Sequence, residues 1–320
     1  MVHNDINVVS LAGGVGGAKL AFGLAKCLAP TDLTIIVNTG DDFKHFGLHI
    51  SPDVDTVCYT LAGLANPDTG WGLANETWQV LSALEKLAAP TWFQLGDKDL
   101  ATHLERTRRL QQGDSLSEIT QDFCKKWGVQ CKVLPMSNDP VQTLVHTEDN
   151  EIISFQEYFV HRKFKPKVMG FEFAGIDHAR PSPGLIEAIE KADLIIISPS
   201  NPFVSIDPIL GVRGVRNALE NKVVIAVSPI VGGKALKGPA AKMFLELGIN
   251  PSVTSVAHHY KQILVGLVID TKDTEEVKIS VPSRIIYFET NAIMKDEDDR
   301  VKLASKVIEF GKSILNGEVS

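Results

Sequence analysis

Cysteine is scarce in this chain: Cys27, Cys58, Cys124 and Cys131 form no C-x-x-C pair and have no histidine at zinc-ligand spacing. A disulfide scaffold and a thiolate zinc site are therefore excluded, and with no secretory leader ahead of them a reduced, cytoplasmic compartment is expected. Long apolar runs are absent too. Proline, glycine or a charge breaks every candidate well short of the ~20 residues that cross a bilayer, so no membrane segment is expected. Basic residues do not dominate: 32 Lys and Arg face 39 Asp and Glu, a formal net charge of −7. That balance argues against a general affinity for nucleic acid, which needs clustered cations. Any phosphate must be held locally, by backbone N–H groups, a metal or a few basic side chains. No Ser/His/Asp or cysteine nucleophile constellation, internal repeat or low-complexity linker is evident.

What is present is ordinary globular material, 320 residues of which 44% are hydrophobic, enough to bury a large core. Ile6 to Leu11 reads as a buried strand, Gly13, Gly14, Gly16 and Gly17 as a loop, Ala18 to Leu28 as a helix and Leu33 to Val37 as a second strand. This βαβ opening is matched by apolar runs at 194–197 and 223–227, each leading into a polar loop. Such strands predict a mainly parallel, doubly wound α/β sheet with its ligand loops along one crest. Helices are predicted over 76–88, 98–111 and 115–126, the last with Ser115 and Glu118 as a capping box. Short strands are predicted over 130–134, 143–147 and 151–155, with an Asp149-Asn150 turn between the last two. The whole reads as one α/β domain over 1–320, with roughly 70–165 as a helical insertion carrying a small β element. A closing amphipathic helix from about Asp299 to Leu315 is expected to cover a sheet face.

The glycine cluster fails both the Walker A pattern, since Ala18-Lys19-Leu20 stands where Gly-Lys-Ser/Thr belongs, and the strict dinucleotide pattern. Glycines ahead of a helix still let backbone amides approach an anion where the helix dipole favours it. A bare tight turn is the alternative. Asn38-Thr39-Gly40-Asp41-Asp42 closes the second strand, and Ser51-Pro52-Asp53-Val54-Asp55 reads as a helix start with Ser51 as N-cap. Four carboxylates within fifteen residues repel one another unless a cation intervenes, and hard oxygen ligands suit Mg²⁺. Asp53 and Asp55 serving only the helix dipole is the plainer reading. Lys98 can meet an anionic or hydroxyl-rich ligand. His103 reads as a capped or surface residue, and most of the run Arg106, Arg108, Arg109 as a solvated face. Ser198-Pro199-Ser200-Asn201-Pro202 makes a rigid crest loop whose hydroxyls and amide can read a base or a phosphate. The adjacent His258 and His259 read as structural.

In order along the chain, Ala12 to Lys19 (AGGVGGAK), Val37 to Asp42 (VNTGDD), Ser51 to Thr56 (SPDVDT), Trp71-Gly72 with Asn75 to Trp78, Leu95 to His103 (LGDKDLATH), Leu134 to Pro140 (LPMSNDP), Ser198 to Pro202 and Ser228 to Pro239 (SPIVGGKALKGP) resemble the 2-phospho-L-lactate transferases of coenzyme F-420 biosynthesis. The resemblance implies a modified doubly wound fold, a homodimer and Mg²⁺. It also implies transfer of a phospholactyl or phosphoenolpyruvyl group from its guanosine diphosphate conjugate to the ribityl hydroxyl of the deazaflavin FO, releasing GMP. Carried over by position, Asp55 and Lys98 are deazaflavin-contacting, while Asp41, Asp42 and Asp53 lie in the metal and diphosphate neighbourhood. Lys98 stands where the family often has arginine, and the two differ in bidentate hydrogen bonding. The expectation is an in-line transfer with Asp53 and Asp55 catalytic. The glycines, Lys19, Asn38, Ser200 and Asn201 would hold the donor.

Two rivals stay open. A nicotinamide-dependent oxidoreductase would use the glycine loop and Asp41, and a non-catalytic regulator would bind a nucleotide sugar on the same broad fold.

Overall fold

The computed structural model describes residues 6–235, 238–275 and 284–319. Its chain order begins β1 (Val8–Ala12), α1 (Gly14–Cys27), β2 (Leu33–Val37), the hairpin β3 (Phe43–His45) and β4 (Leu48–Ile50), then α2 (Pro52–Leu61). Helices α3 (Gln79–Lys86), α4 (Asp97–Gln111) and α5 (Leu116–Lys126) follow, then β5 (Lys132–Pro135), β6 (Gln142–Thr147), β7 (Ile152–Ser154) and β8 (Val168–Ala174). The remaining strands are β9 (Leu194–Ile197), β10 (Val223–Val227), the two-residue pair β11 (Ile230–Val231) and β12 (Lys234–Ala235), β13 (Gly266–Asp270) and β14 (Ile286–Thr290), before a C-terminal helix, Glu297–Leu315.

Seven strands form one parallel sheet in the order β14-β13-β10-β9-β1-β2-β5. The order reverses between β1 and β9, which makes their C-terminal ends the switch point of a Rossmann-like, doubly wound fold. Both sheet faces are covered, and the strands divide their side chains by the two-residue period. Val8, Leu33, Ile35, Leu194 and Ile196 join the core under α1, α2 and the C-terminal helix. Val9, Leu11, Ile36, Ile195 and Ile197 join the core on the opposite face. Within this apolar sheet Ser10 Oγ of β1 hydrogen-bonds at 2.9 Å to Ser198 Oγ, the residue just after β9.

Several sequence expectations shift. Helix α1 starts at Gly14, so Gly14, Gly16 and Gly17 form its first turn instead of a loop ahead of it. Strand β5, expected with the small β element, instead adds to the central sheet beside β2. The small antiparallel sheet is β7-β6-β8 and runs on to Ala174, past the expected boundary at 165. The Ser115 and Glu118 capping box is present, as is the turn at Asn150, whose φ is 60°. In the Ser228 to Pro239 segment, Leu236 and Lys237 lie outside the described residues. Among the described residues no helix is long and apolar enough to cross a membrane.

The glycines of α1 are explained by how closely β9's loop approaches. A Cβ on Gly16 would run into the Pro199 carbonyl, and one on Gly17 would sit 2.6 Å from Ser200 Oγ. Since backbone, not a flexible side chain, blocks position 16, Gly16→Ala is expected to cost about 1–3 kcal/mol through overpacking. Thermal melting checks this: a variant as stable as the parent would show that the crest is looser than described.

Candidate functional site

The crest at the switch point is held by hydrogen bonds that spend most of the expected ligand groups on one another. Ser200 Oγ donates to the Gly13 carbonyl at 2.8 Å and accepts from the Gly13 N–H at 3.1 Å, so the β9 loop is riveted to the glycine turn. Asn201 caps the turn after it, accepting from Phe203 N–H at 3.1 Å. Neither polar group is left facing outward as expected for a donor contact. Lys19 departs further: its ammonium donates to the Met294 carbonyl at 2.7 Å, toward the C-terminal segment and away from the turn.

Beside the rivet lies an acidic centre. Asp53, in the first turn of α2, accepts from Gly14 N–H at 2.7 Å through Oδ1 and from Asn38 Nδ2 at 2.9 Å through Oδ2. The helix N-terminus that was expected to receive a ligand phosphate thus receives a carboxylate of the protein itself. Asn38 is the hub: its Nδ2 also reaches the Val204 carbonyl at 3.2 Å, and its Oδ1 accepts from Gly40 N–H at 2.8 Å. Ser51 stands before Pro52 at the N-cap position, but its hydroxyl donates to Asp42 Oδ2 at 2.8 Å instead of capping α2. His49 Nε2 meets the same Asp42 oxygen at 3.0 Å.

Among the described residues, Asp41 Oδ1 and Asp42 Oδ1 are buried without a hydrogen-bond partner, as are Thr39 Oγ1 and Thr143 Oγ1. Asp41, Asp42 and Thr143 line a small cavity with Gly40, Phe43, Gln142, Ser154, Phe155 and Gln156. Burial drives Asp41 well above the usual carboxylate range, with the Asp53 charge adding to it and the Asn38 bond opposing. Burial also raises Asp42, against the His49 and Ser51 bonds, and pushes Asp53 up to about 6 despite its bonds to Asn38 and Gly14.

Among the described residues no three His, Cys, Asp or Glu side chains converge as a ready metal cage. The expected Asp41, Asp42 and Asp53 set is therefore not assembled, because Asp53 is turned to Gly14 and Asn38. Two orphaned carboxylate oxygens nevertheless suit a hard cation that completes its shell with water and substrate phosphates, as Mg²⁺ commonly does.

The largest departure is at α4. His103 and Arg106 are 1% and 2% exposed, so neither lies on the surface or the solvated face expected of them. Arg106 pairs with Asp55 through both guanidinium NH groups, NH1 to Oδ2 at 3.0 Å and NH2 to Oδ1. His103 Nδ1 lies 3.2 Å from the same NH1, and its Nε2 lies 3.3 Å from Asp99 Oδ1, which also accepts from Tyr59 OH at 2.7 Å. Asp55 is thus committed to a cation before any substrate arrives. Lys98, at the start of α4, is exposed and donates to the Ala74 carbonyl at 3.3 Å. A sequence signal for the buried seam existed: Asp99, Thr102, His103 and Arg106 recur at helical spacing, while α4 lacks a full apolar stripe and leaves Leu104 52% exposed.

Fold and site define a Rossmann-like α/β protein with an acidic crest set beside a helix N-terminus. The model of the family described as 2-phospho-L-lactate transferase CofD matches residues 8–309. The chain belongs to that family and is a transferase. A phosphoenolpyruvate transferase of Streptomyces griseus is 40% identical over 319 residues, covering 97% of this chain and 99% of the relative. A 2-phospho-L-lactate transferase of Methanocaldococcus jannaschii is 38% identical over 310 residues, covering 96% and 99%. The crystal structure of a UPF0052 family member from Bacillus halodurans superimposes with a TM-score of 0.61 at 19% identity, covering 95% of this chain and 99% of that one, a likeness of fold.

The pH dependence of stability follows from these carboxylates. Asp41, Asp42 and Asp53 all bind protons more tightly folded than unfolded. Their protonation therefore favours the folded state, fully below the ordinary carboxylate pKa of about 4, and this benefit is lost as pH rises through the folded values. Chelator-treated protein is expected to melt higher at pH 5 than at pH 7.5, with Asp53→Asn flattening the difference by on the order of 1 kcal/mol. Equal melting points at the two pH values would contradict the shifts.

Proposed function

We propose that the chain transfers a 2-phospholactyl or phosphoenolpyruvyl group from its guanosine diphosphate conjugate to the ribityl hydroxyl of the deazaflavin FO. GMP leaves, and coenzyme F-420-0 or its dehydro form is the product. The observation that supports this reading is the pair of orphaned oxygens on Asp41 and Asp42, buried just past the C-terminal end of β2, on the edge of the sheet where ligands of doubly wound folds collect. We assign Mg²⁺ to those two residues, with Asp53 close by; bound there it would neutralise the donor diphosphate.

The chain's own groups account for the rest. The new bond joins the acceptor oxygen to the phosphorus that carries the acid, and the bond broken is the bridge to GMP; in-line transfer of this kind needs positioning and charge stabilisation above all. A donor phosphate competes with Asp53 for the Gly14 N–H, the one anion contact already formed at the helix N-terminus. Asp55, with both oxygens on Arg106, keeps further lone pairs for the acceptor hydroxyl. Its role on this reading is to orient that hydroxyl by accepting a hydrogen bond from it and to take its proton as the oxygen–phosphorus bond forms. The ring of the acceptor has aromatic surface near at hand: Phe43 lines the cavity and packs edge-on to Phe93 with centroids 4.8 Å apart. Lys98 serves as an acceptor contact. A homodimer and a cytoplasmic location complete the reading, on family grounds.

Relatives of both names match at nearly the same identity, 40% and 38%, so overall likeness does not choose the acid. Mass spectrometry after incubation with FO, Mg²⁺ and the guanylated phospholactate, phosphoenolpyruvate or phosphoglycerate donor makes the choice. The expected result is one adduct of FO with stoichiometric GMP, abolished by chelator; no adduct from any of the three would sink the reading. Asp55→Asn, which keeps a polar partner of the same shape against the buried Arg106, is expected to lower turnover by about a hundredfold or more in protein that still melts cooperatively, since misplacing a reactant by an ångström can cost that much.

A further inference from the structure

The seam between α2 and α4 is polar where helix contacts are ordinarily apolar. Asp55 and Arg106 are 5% and 2% exposed, and among the described residues Arg106 Nε has no hydrogen-bond partner. Burial alone would strip the guanidinium of its proton more readily, yet the Asp55 charge and hydrogen bonds hold it firmly protonated. Such a pair is a poor device for stability, because well-packed apolar residues serve as well or better without the desolvation cost. The protein uses apolar packing elsewhere: Leu20, Ala21 and Leu24 of α1 and Leu303, Ala304 and Val307 of the C-terminal helix share one core. Packing therefore does not require an arginine at position 106.

Its geometry does something else. Two guanidinium N–H groups, one to each carboxylate oxygen, fix the plane of Asp55 as well as its position. A third contact, from NH1 to the His49 carbonyl at 3.5 Å, ties the fork to β4, whose His49 ring holds Asp42. The neighbouring Thr107 accepts from His49 N–H at 2.7 Å. One helical turn away from Asp55, Tyr59 reaches Asp99, the residue after Lys98. The two helices are thus pinned at two levels, Tyr59 to Asp99 and Asp55 to Arg106, and the offset between Asp55 and the start of α4 is set by both pins.

Building on the proposed transfer, we propose that Arg106 is a positioning residue for the acceptor. By holding the Asp55 carboxylate at a fixed angle and offset from Lys98, it sets where the attacking hydroxyl lies, without touching the donor. The fork is the essential feature, and a lysine ammonium cannot reproduce it.

Arg106→Lys separates this from a merely structural role. The expected result is a KM for FO raised about tenfold or more with a lower kcat, while the KM for the guanylated donor stays near that of the parent and the variant, though less stable, is folded at the assay temperature. A folded variant with an unchanged KM for FO, or with both KM values raised equally, would overturn the proposal. Arg106→Ala gives a second measurement: millimolar free guanidinium is expected to restore FO binding, and a folded variant indifferent to it also counts against the proposal. Deazaflavin fluorescence follows that binding directly. If the parent binds FO but forms no adduct, the transfer reading fails by itself, and the parent-to-variant difference in FO affinity still decides the role of Arg106.

Discussion

Burying an anion beside a helix N-terminus is the constraint on which the crest depends. Asp53 leaves water to meet Gly14 N–H and the Asn38 amide, and those two bonds join the ends of three elements: the head of α1, the end of β2 and the first turn of α2. The bonds recover only part of the desolvation cost, which is why the carboxyl remains raised to about 6. With Asp41 and Asp42 close enough to add their own charge, the centre is under-neutralised. An assembly of this kind binds cations and protons in competition, and its geometry is most settled when something positive is present.

The fold was legible because its strands are near-continuous apolar runs, and only a parallel sheet covered on both faces buries such runs completely. The strand Leu33–Val37 and the capping box at Ser115 followed from local chemistry alone. What local chemistry could not say is which strand pairs with which. Strand β5 carries the residues Lys-Val-Leu-Pro, equally at home in a small antiparallel sheet, and only its register beside β2 assigns it to the centre. In the same way the acidic cluster was visible as four carboxylates near the end of β2, but their partners were not. Asp53 finds Gly14 thirty-nine residues away in sequence, and Asp55 finds Arg106 fifty-one away.

Helix α4 shows why a charged helix face is an unreliable sign of solvent. Arg108 and Arg109 do pair with exposed acids, as a solvated face would. Arg106, two residues before Arg108, points the other way, because residues so spaced diverge around the helix, and Arg109, three residues after Arg106, lies between the two with its side chain 14% exposed. The discriminating feature was the shortage of apolar residues: a helix that packs against a neighbour but offers it no leucine stripe must offer polar groups, and those must be mutually satisfied. His103 Nδ1 beside Arg106 NH1, and Tyr59 OH donating to Asp99, provide part of that satisfaction around the Arg106 and Asp55 pair, while Arg106 Nε and His103 Nε2 stay without a hydrogen-bond partner among the described residues.

The closure of the switch point bears on the nicotinamide alternative. In dinucleotide-binding folds the pyrophosphate lies over the glycine turn, in the crevice between the strands that diverge there. Here Ser200 spans that crevice to both backbone groups of Gly13, and the Pro199 carbonyl rests against Gly16 where any side chain would collide. The glycines are used to admit protein backbone. At the end of β2, by contrast, Asp41 Oδ1, Asp42 Oδ1, Thr39 Oγ1 and Thr143 Oγ1 are buried without a hydrogen-bond partner among the described residues. Glycine count and a following acid are shared by both arrangements, so the sequence pattern alone does not separate them; the direction of the Ser200 hydroxyl does.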